Sequence, residues 1–446
     1  MNSEVRLHRS LTLWPVVLFG LAYMVPMTVF STYGVVAQTT HGQVAASYVV
    51  ALVGMFFTAL SYGKMVRAYP FSGSAYTYTQ KSMSPQLGFL VGWAVLMDYL
   101  FLPMINYLLA GIFLSAALPG VPAWIWIILF NLLATVINIL GLRLAKNVNL
   151  LLILFQVLIM IIFVGLSIRG LLSGQGAGTL LSTLPFNNPD GTFSMILAGA
   201  SILCLSFLGF DAVSTFTEET IEPSTTIPKG ILLVTMIGGI MFIIVSYFTQ
   251  LVYPDYNSFT NPDAAAFDIA RFIGGNLFAS IFIAGYVVGC FASALSAQAS
   301  VARLLYAMGR DGVLPKKVFG YIHPTYRTPM FNLLLVTLFS LTALVLDLVT
   351  AVSFINFGAL VAFTFVNLSV IAHYFVREKK RTLKDIPSYL ILPLIGAIVT
   401  FWLWTSLDKH AILLGAVWAI CGILYLAVLT KMFRLRPPEF DFSEMD

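Results

Sequence analysis

Charged side chains are scarce in this 446-residue chain, at 10% of residues against 59% hydrophobic, with a mean hydropathy of +0.91. Soluble domains carry about 25% charged residues, so a soluble globular fold is excluded and a membrane protein is expected. Cysteine is rarer still. Cys204, Cys290 and Cys421 lie in apolar runs, without metal-ligand spacing and too few for a disulfide framework; they read as small core residues. Phosphate-binding glycine loops, zinc-ligand spacings and nucleophile elbows are missing too. That leaves an enzyme nothing to stand on, and no cofactor or metal is implied. The first apolar run is not followed by a small-residue cleavage site, so it reads as a retained span and not a signal peptide.

What is there is length of apolar sequence. A bilayer crossing needs about 20 mostly apolar residues. The sequence predicts twelve such spans, at 13–36, 45–66, 87–118, 122–141, 149–172, 194–217, 231–253, 276–307, 329–348, 352–375, 388–407 and 411–431. The third and eighth are long enough to tilt or project beyond the bilayer. The remaining connections hold no soluble domain, so residues 1–446 read as a single transmembrane domain. With the N-terminus placed in the cytoplasm, only Arg169, Arg271 and Lys409 of the 24 Lys and Arg fall outside. The positive-inside rule then puts both termini in the cytoplasm. It also accounts for the net charge of +5 without nucleic acid; the bilayer is the expected partner.

Two spans are interrupted. In the first, GLAYMVPMTVF places Pro26 at membrane depth. A proline has no N–H to donate and deprives the carbonyl one turn earlier, that of Ala22, of its helical bond. In the sixth, SFLGFDAVSTFTEE sets Gly209 beside Phe210 and Asp211. The breaks are five spans apart. Interrupted helices in corresponding positions of two halves point to a transporter built from inverted repeats, with its site at the breaks. Unwound backbone at that depth must line a cavity or lie buried in protein. A plain proline kink is the alternative for Pro26.

Ionisable residues inside a membrane mark function by default. Asp98 lies deep in the third span and Asp211 at the second break; each could hold an ammonium group or carry a coupling proton. Asp211 could also cap the helix that follows, and Asp98 could be a packing residue bonded to Asn106. Glu218 and Glu219, at the cytoplasmic end of the sixth span, read as a latch toward loop cations or as gating acids. Tyr23, Phe30, Tyr99, Tyr107, Phe207 and Phe210 surround the breaks, where aromatic faces suit an ammonium group or serve as packing. Ser293 and Ser296 in the eighth span either bind a cation or allow close helix packing. His41 and His373 read as interfacial.

GLAYMVPMTVF, YGKMVRAYPFSGSAYTYTQKSMSP, GFLVGWAVLMDYLFLPMIN, SFLGFDAVSTFTEET, ARLLYAMGRDGVLPKKVFGYIHPTYRTP and INFGALVAFTFVNLSV resemble the amino acid–polyamine–organocation superfamily, and within it the bacterial putrescine importers. The resemblance implies a LeuT-like fold with five-plus-five inverted repeats, about 13–172 and 194–375, plus two added helices at about 388–431. It implies alternating access in a bacterial inner membrane. Amino acid carriers of the superfamily have a Gly-Ser-Gly-like stretch in the first break, whose N–H groups receive the substrate carboxylate. Here Pro26, Met27 and Thr28 stand there, and the carboxylate site looks spoiled. A diamine would not miss it. The implied substrate site comprises Ala22, Tyr23, Pro26, Thr28, Asp98, Tyr99, Asn106, Tyr107, Phe207, Gly209, Phe210 and Asp211; coupling or gating falls to Asp98, Asp211, Glu218, Glu219, Ser293 and Ser296. The lysine that replaces sodium in the fifth span of some proton-coupled relatives is absent, Phe155 and Gln156 occupying that stretch. The leading expectation is a proton-coupled importer of putrescine or a similar polyamine. An amino acid permease of the same fold is the nearest alternative, and a membrane sensor that binds without transporting is a third.

Overall fold

A computed structural model describes residues 11–70, 75–140, 146–218, 220–310, 312–326, 328–435 and 437, and for 146–150, 215 and 218 it describes the backbone alone. The described chain is helical throughout, with one isolated parallel bridge, Leu11 to Thr220. The first span divides into α1 (Leu13–Tyr23), a 3-10 turn (Pro26–Phe30) and α2 (Tyr33–Thr39). α3 (Val44–Ala68), the short α4 (Ala75–Ser82), α5 (Pro85–Ala117), α6 (Ala123–Ile139) and α7 (Lys146–Leu172) follow. The sixth span is α8 (Phe193–Leu203) followed by two 3-10 segments, Cys204–Phe207 and Asp211–Glu218. Then come α9 (Pro223–Val252), α10 (Ala265–Arg310), α11 (Lys316–Phe319), α12 (Met330–Ser340), α13 (Leu348–Val370), α14 (Leu392–Thr405) and α15 (Lys409–Leu429).

Local chemistry sets the boundaries. Ser84 accepts the Leu87 N–H at 3.2 Å with Pro85 as the first helical residue, a capped start that needs no partner helix. Asp347 accepts the Thr350 N–H at 2.9 Å, and Asp408 accepts that of His410 at 2.8 Å. α10 runs 46 residues only because two helices meet at Gly275, where φ is 68°. That conformation favours glycine, and it places the start of the eighth span where the sequence predicts it.

Among the described residues, ten helices are long and apolar enough to cross a bilayer, as an all-helical membrane fold requires. Ala123–Ile139 and Met330–Leu344, in the positions of the fourth and ninth predicted spans, are shorter. They lie against each other and α10 through a buried polar knot. Thr135 and Thr337 hydroxyls are 2.7 Å apart, and the Gln298 Nε2 donates to both, at 2.9 and 3.1 Å. The ninth span also ends early, its α-helix tightening to 3-10 at Leu341–Leu344. α13, α5 and the broken sixth span are the most enclosed, while α14 and α15 keep most of their surface outward as a lipid-facing layer.

Candidate substrate site

The two breaks are built differently and meet. At the first, Val25 turns to φ 50°. Its N–H reaches back only three residues, to the Ala22 carbonyl at 3.1 Å, a 3-10 contact. This corrects the expectation that Pro26 orphans Ala22: the residue before the proline supplies the missing donor. The carbonyl of Tyr23, like that of Leu21, accepts no hydrogen bond among the described residues. Thr28 folds its hydroxyl back onto the carbonyls of Met24 (3.0 Å) and Val25 (2.6 Å), so its proton is spent on the backbone while its lone pairs are not.

At the second break, Asn356 of α13 donates to the carbonyls of Ser201 (2.7 Å) and Ile202 (3.1 Å), while the Tyr48 and Ser206 hydroxyls are 3.0 Å apart. Gly209 follows at φ 111°. A Cβ there would stand 2.9 Å from the Tyr23 carbonyl carbon and 3.1 Å from the Met24 nitrogen, so the glycine is required both for its dihedral and for contact with the first break. The Gly209 N–H donates to the Asp211 Oδ1 at 3.3 Å, and Asp211 opens the 3-10 segment that follows. That bond comes from the residue ahead of the segment and ties the carboxylate to the break itself, and Asp211 lines the cavity.

That cavity, about 560 Å³, runs beside the breaks and along α1 as far as Pro15. This is an ordinary size for a small-ligand site. Of the sequence-predicted residues, Ala22, Tyr23, Thr28, Asp98, Tyr99, Asn106, Gly209, Asp211, Ser293 and Ser296 line it. Tyr23 keeps 48% of its surface, the most open aromatic in the wall. Pro26, Tyr107, Phe207 and Phe210 are buried in packing and are not among the lining residues. Phe207 meets Phe242 edge-on at 5.7 Å, and Phe210 lies 5.1 Å from Phe363. Glu219 and the Glu218 side chain lie outside the described residues. Asn106 does not bond to Asp98; its amide donates to the Leu102 carbonyl at 2.8 Å. Asp98 makes no hydrogen bond or ion pair among the described residues, and it lies within electrostatic reach of Asp211. No Lys, Arg or His is among the described lining residues.

Sequence reasoning missed part of the wall. Tyr62 of α3, Ala75 of α4, and Ala359, Ala362 and Phe363 of α13 line the cavity. The last three share a helix face at i, i+3 and i+4, a spacing that marks a face without saying what it faces. Gln156, Tyr286, Gly289, Cys290 and Ser300 join from α7 and α10. Beyond Ser31, which is 2.8 Å from the Tyr286 hydroxyl, the wall is backed by aromatics. Phe30 packs on Phe163 (4.7 Å) and Phe282 (5.0 Å), and Phe113 stacks on Tyr286 at 4.0 Å. Toward the other end Phe19 stacks on Phe216 at 5.4 Å.

Residues 15–430 match the model of the amino acid permease family. The chain belongs to that family. It is a membrane permease and not an enzyme, and it crosses the membrane many times. It is 47% identical over 441 residues to the low-affinity putrescine importer PlaP of Escherichia coli strain K12, covering 99% of this chain and 98% of that one. It is 28% identical to the methylthioribose transporter of Bacillus subtilis, covering 97% of this chain and 96% of that one. The branched-chain amino acid permease BcaP of the same organism is 26% identical over the same shares. Among solved structures, MhsT in complex with L-phenylalanine superposes with a TM-score of 0.58 at 13% identity, covering 90% of this chain and 99% of that one. That match shows the fold alone, which is LeuT-like.

Proposed function

We propose that this permease imports putrescine or a similar small diamine across a bacterial inner membrane by alternating access. One observation carries the reading: two carboxylates, Asp98 and Asp211, face one cavity whose described lining has no basic side chain. A dication supplies the missing charge at both, whereas an amino acid would bring a carboxylate toward Asp211. The similarity to a putrescine importer points the same way. Relatives named for methylthioribose and for branched-chain amino acids are also similar along nearly the whole chain, so the charge of the cavity, and not overall similarity, points to the substrate class. The unpaired Tyr23 carbonyl adds an acceptor where amino acid carriers present N–H groups.

The same reading takes twelve spans, counting the two short apolar helices, with repeats at about 13–172 and 194–375, the α14–α15 pair added, and both termini in the cytoplasm. The cavity, extending along α1 toward the N-terminal end, then faces inward. The membrane potential favours cation entry by about 2.3 kcal/mol per charge per 100 mV. Proton coupling falls to Asp98, because a carboxylate without a partner at membrane depth either holds a cation or carries a proton.

The test is uptake of labelled putrescine into proteoliposomes, with an inward proton gradient imposed or collapsed and unlabelled amino acids as competitors. Uptake that needs the gradient, yields to diamines and ignores amino acids is expected. Transport of a neutral or acidic amino acid without putrescine uptake would overturn the reading.

A further inference from the structure

The cavity holds a polar group that neither the breaks nor the carboxylates explain. Tyr62, in the C-terminal half of α3, is 1% exposed, and it lines the cavity. Its ring is fixed from three sides, by Phe210 at 5.9 Å, Tyr78 at 6.0 Å and Phe363 at 6.2 Å, all edge-on. Such aromatic packing leaves the ring one position. Its hydroxyl makes no hydrogen bond among the described residues. The hydroxyl belongs to the cavity wall and lies within electrostatic reach of both Asp211 and Asp98.

The chemistry of the substrate calls for such a group. A primary ammonium group carries three N–H donors. At the second break one Asp211 oxygen already accepts the Gly209 N–H. The Tyr23 carbonyl provides a further acceptor, and a third oxygen is needed to satisfy the group. A tyrosine hydroxyl has lone pairs to give.

We propose that Tyr62 is a specificity-determining residue, whose hydroxyl accepts a hydrogen bond from the ammonium group held at Asp211 and so selects primary amines over N-alkylated ones. This rests on the diamine reading above. Nothing in the family match or the relatives' names assigns a role to this α3 residue.

The experiment compares the full-length wild type, Tyr62→Phe and the control Tyr78→Phe in proteoliposomes, with putrescine and with N,N,N′,N′-tetramethylputrescine as substrates. Phenylalanine keeps the ring packing and removes only the hydroxyl, and thermal melting checks that each variant is folded. In Tyr62→Phe the KM for putrescine should rise roughly 10-fold, the loss expected for one hydrogen bond to a charged group. Its kcat should stay within about two-fold, the signature of lost binding. The KM for the tetramethyl compound should barely move, so the preference for the primary amine collapses. Tyr78→Phe should match wild type. A putrescine KM unchanged in Tyr62→Phe, or equal losses for both substrates, would overturn the proposal while leaving the diamine reading intact. Failure of the wild type to take up putrescine would overturn that reading, and this inference with it.

Discussion

The first break works by subtraction and the second by addition. Pro26 removes an N–H, Val25 twists to φ 50°, and the carbonyl of Tyr23, which lines the cavity, accepts no hydrogen bond among the described residues. Gly209 twists to φ 111°, Asn356 satisfies the carbonyls ahead of it, and the net product is a carboxylate at Asp211 held by a backbone N–H. One break supplies partial negative charge from the backbone and the other full negative charge from a side chain, and Gly209 presses them together. A site that recognises a cation needs no more than that pairing. A site for an amino acid would need one break to present donors.

That comparison can be broken most severely at Asp211. Asp211→Asn keeps a side chain of the same shape and deletes the charge, and it should raise the KM for putrescine at least roughly 100-fold, as expected when a buried charge pair loses one member. Saturation kinetics in proteoliposomes measure this, and unchanged kinetics would mean the second break serves only as structure. Asp98→Asn is expected to abolish the response of uptake to an imposed proton gradient while some gradient-independent exchange of labelled putrescine survives.

Next in size is Gly209→Ala. The added methyl meets the Tyr23 backbone at 2.9 Å in a conformation costing about 1–3 kcal/mol for a residue with a Cβ. Thermal melting in detergent should fall by several degrees and uptake should drop with it. A fully active, fully stable variant would show that the breaks need not touch. Thr28→Val removes the one hydroxyl proton shared between the Met24 and Val25 carbonyls, a bond worth about 1 kcal/mol. Uptake should fall a few-fold with the fold preserved.

The smallest effect belongs to a carboxylate outside the membrane. Glu378 is 2.8 Å from the Lys380 ammonium and 3.2 Å from the His373 Nε2, and the hydrogen bond from Lys380 holds its carboxyl below the usual range. Because the folded value is depressed, its contribution is present above the ordinary glutamate pKa of about 4.3 and fades as pH falls through that range. Being largely solvated, the pair is worth under about 1 kcal/mol. Glu378→Gln should shift the melting temperature at pH 7 by a degree or two at most and leave transport alone, in contrast to Asp211→Asn.

Much of this was legible in the residues. Apolar run length separates lipid-facing segments from loops, so the ten long helices and the start of the eighth span at Gly275 could be read directly. The short fourth and ninth helices were overestimated, because hydropathy continues past the point where α12 tightens to 3-10. Pro26, Gly209 and Asp211 announced both breaks, since each breaks a local rule. Ala22 was misjudged because a proline's lost bond can be replaced by its neighbour's turn, which depends on the Val25 dihedral. Phe207 and Phe210 sit near the second break in sequence, and Tyr107 follows Asp98 on α5, but all three are buried in packing; nearness in sequence does not fix side-chain direction.

By itself the sequence determined an all-helical membrane permease with two interrupted spans and two intramembrane acids, because bilayer insertion is governed by composition over about 20 residues and helix breaking by single residue types. Only the tertiary structure decided which groups share the cavity. Tyr62, Phe363 and Asp98 come from α3, α13 and α5, segments separated by dozens to hundreds of residues. What each side chain faces is set by helix rotation and packing, which no local pattern encodes.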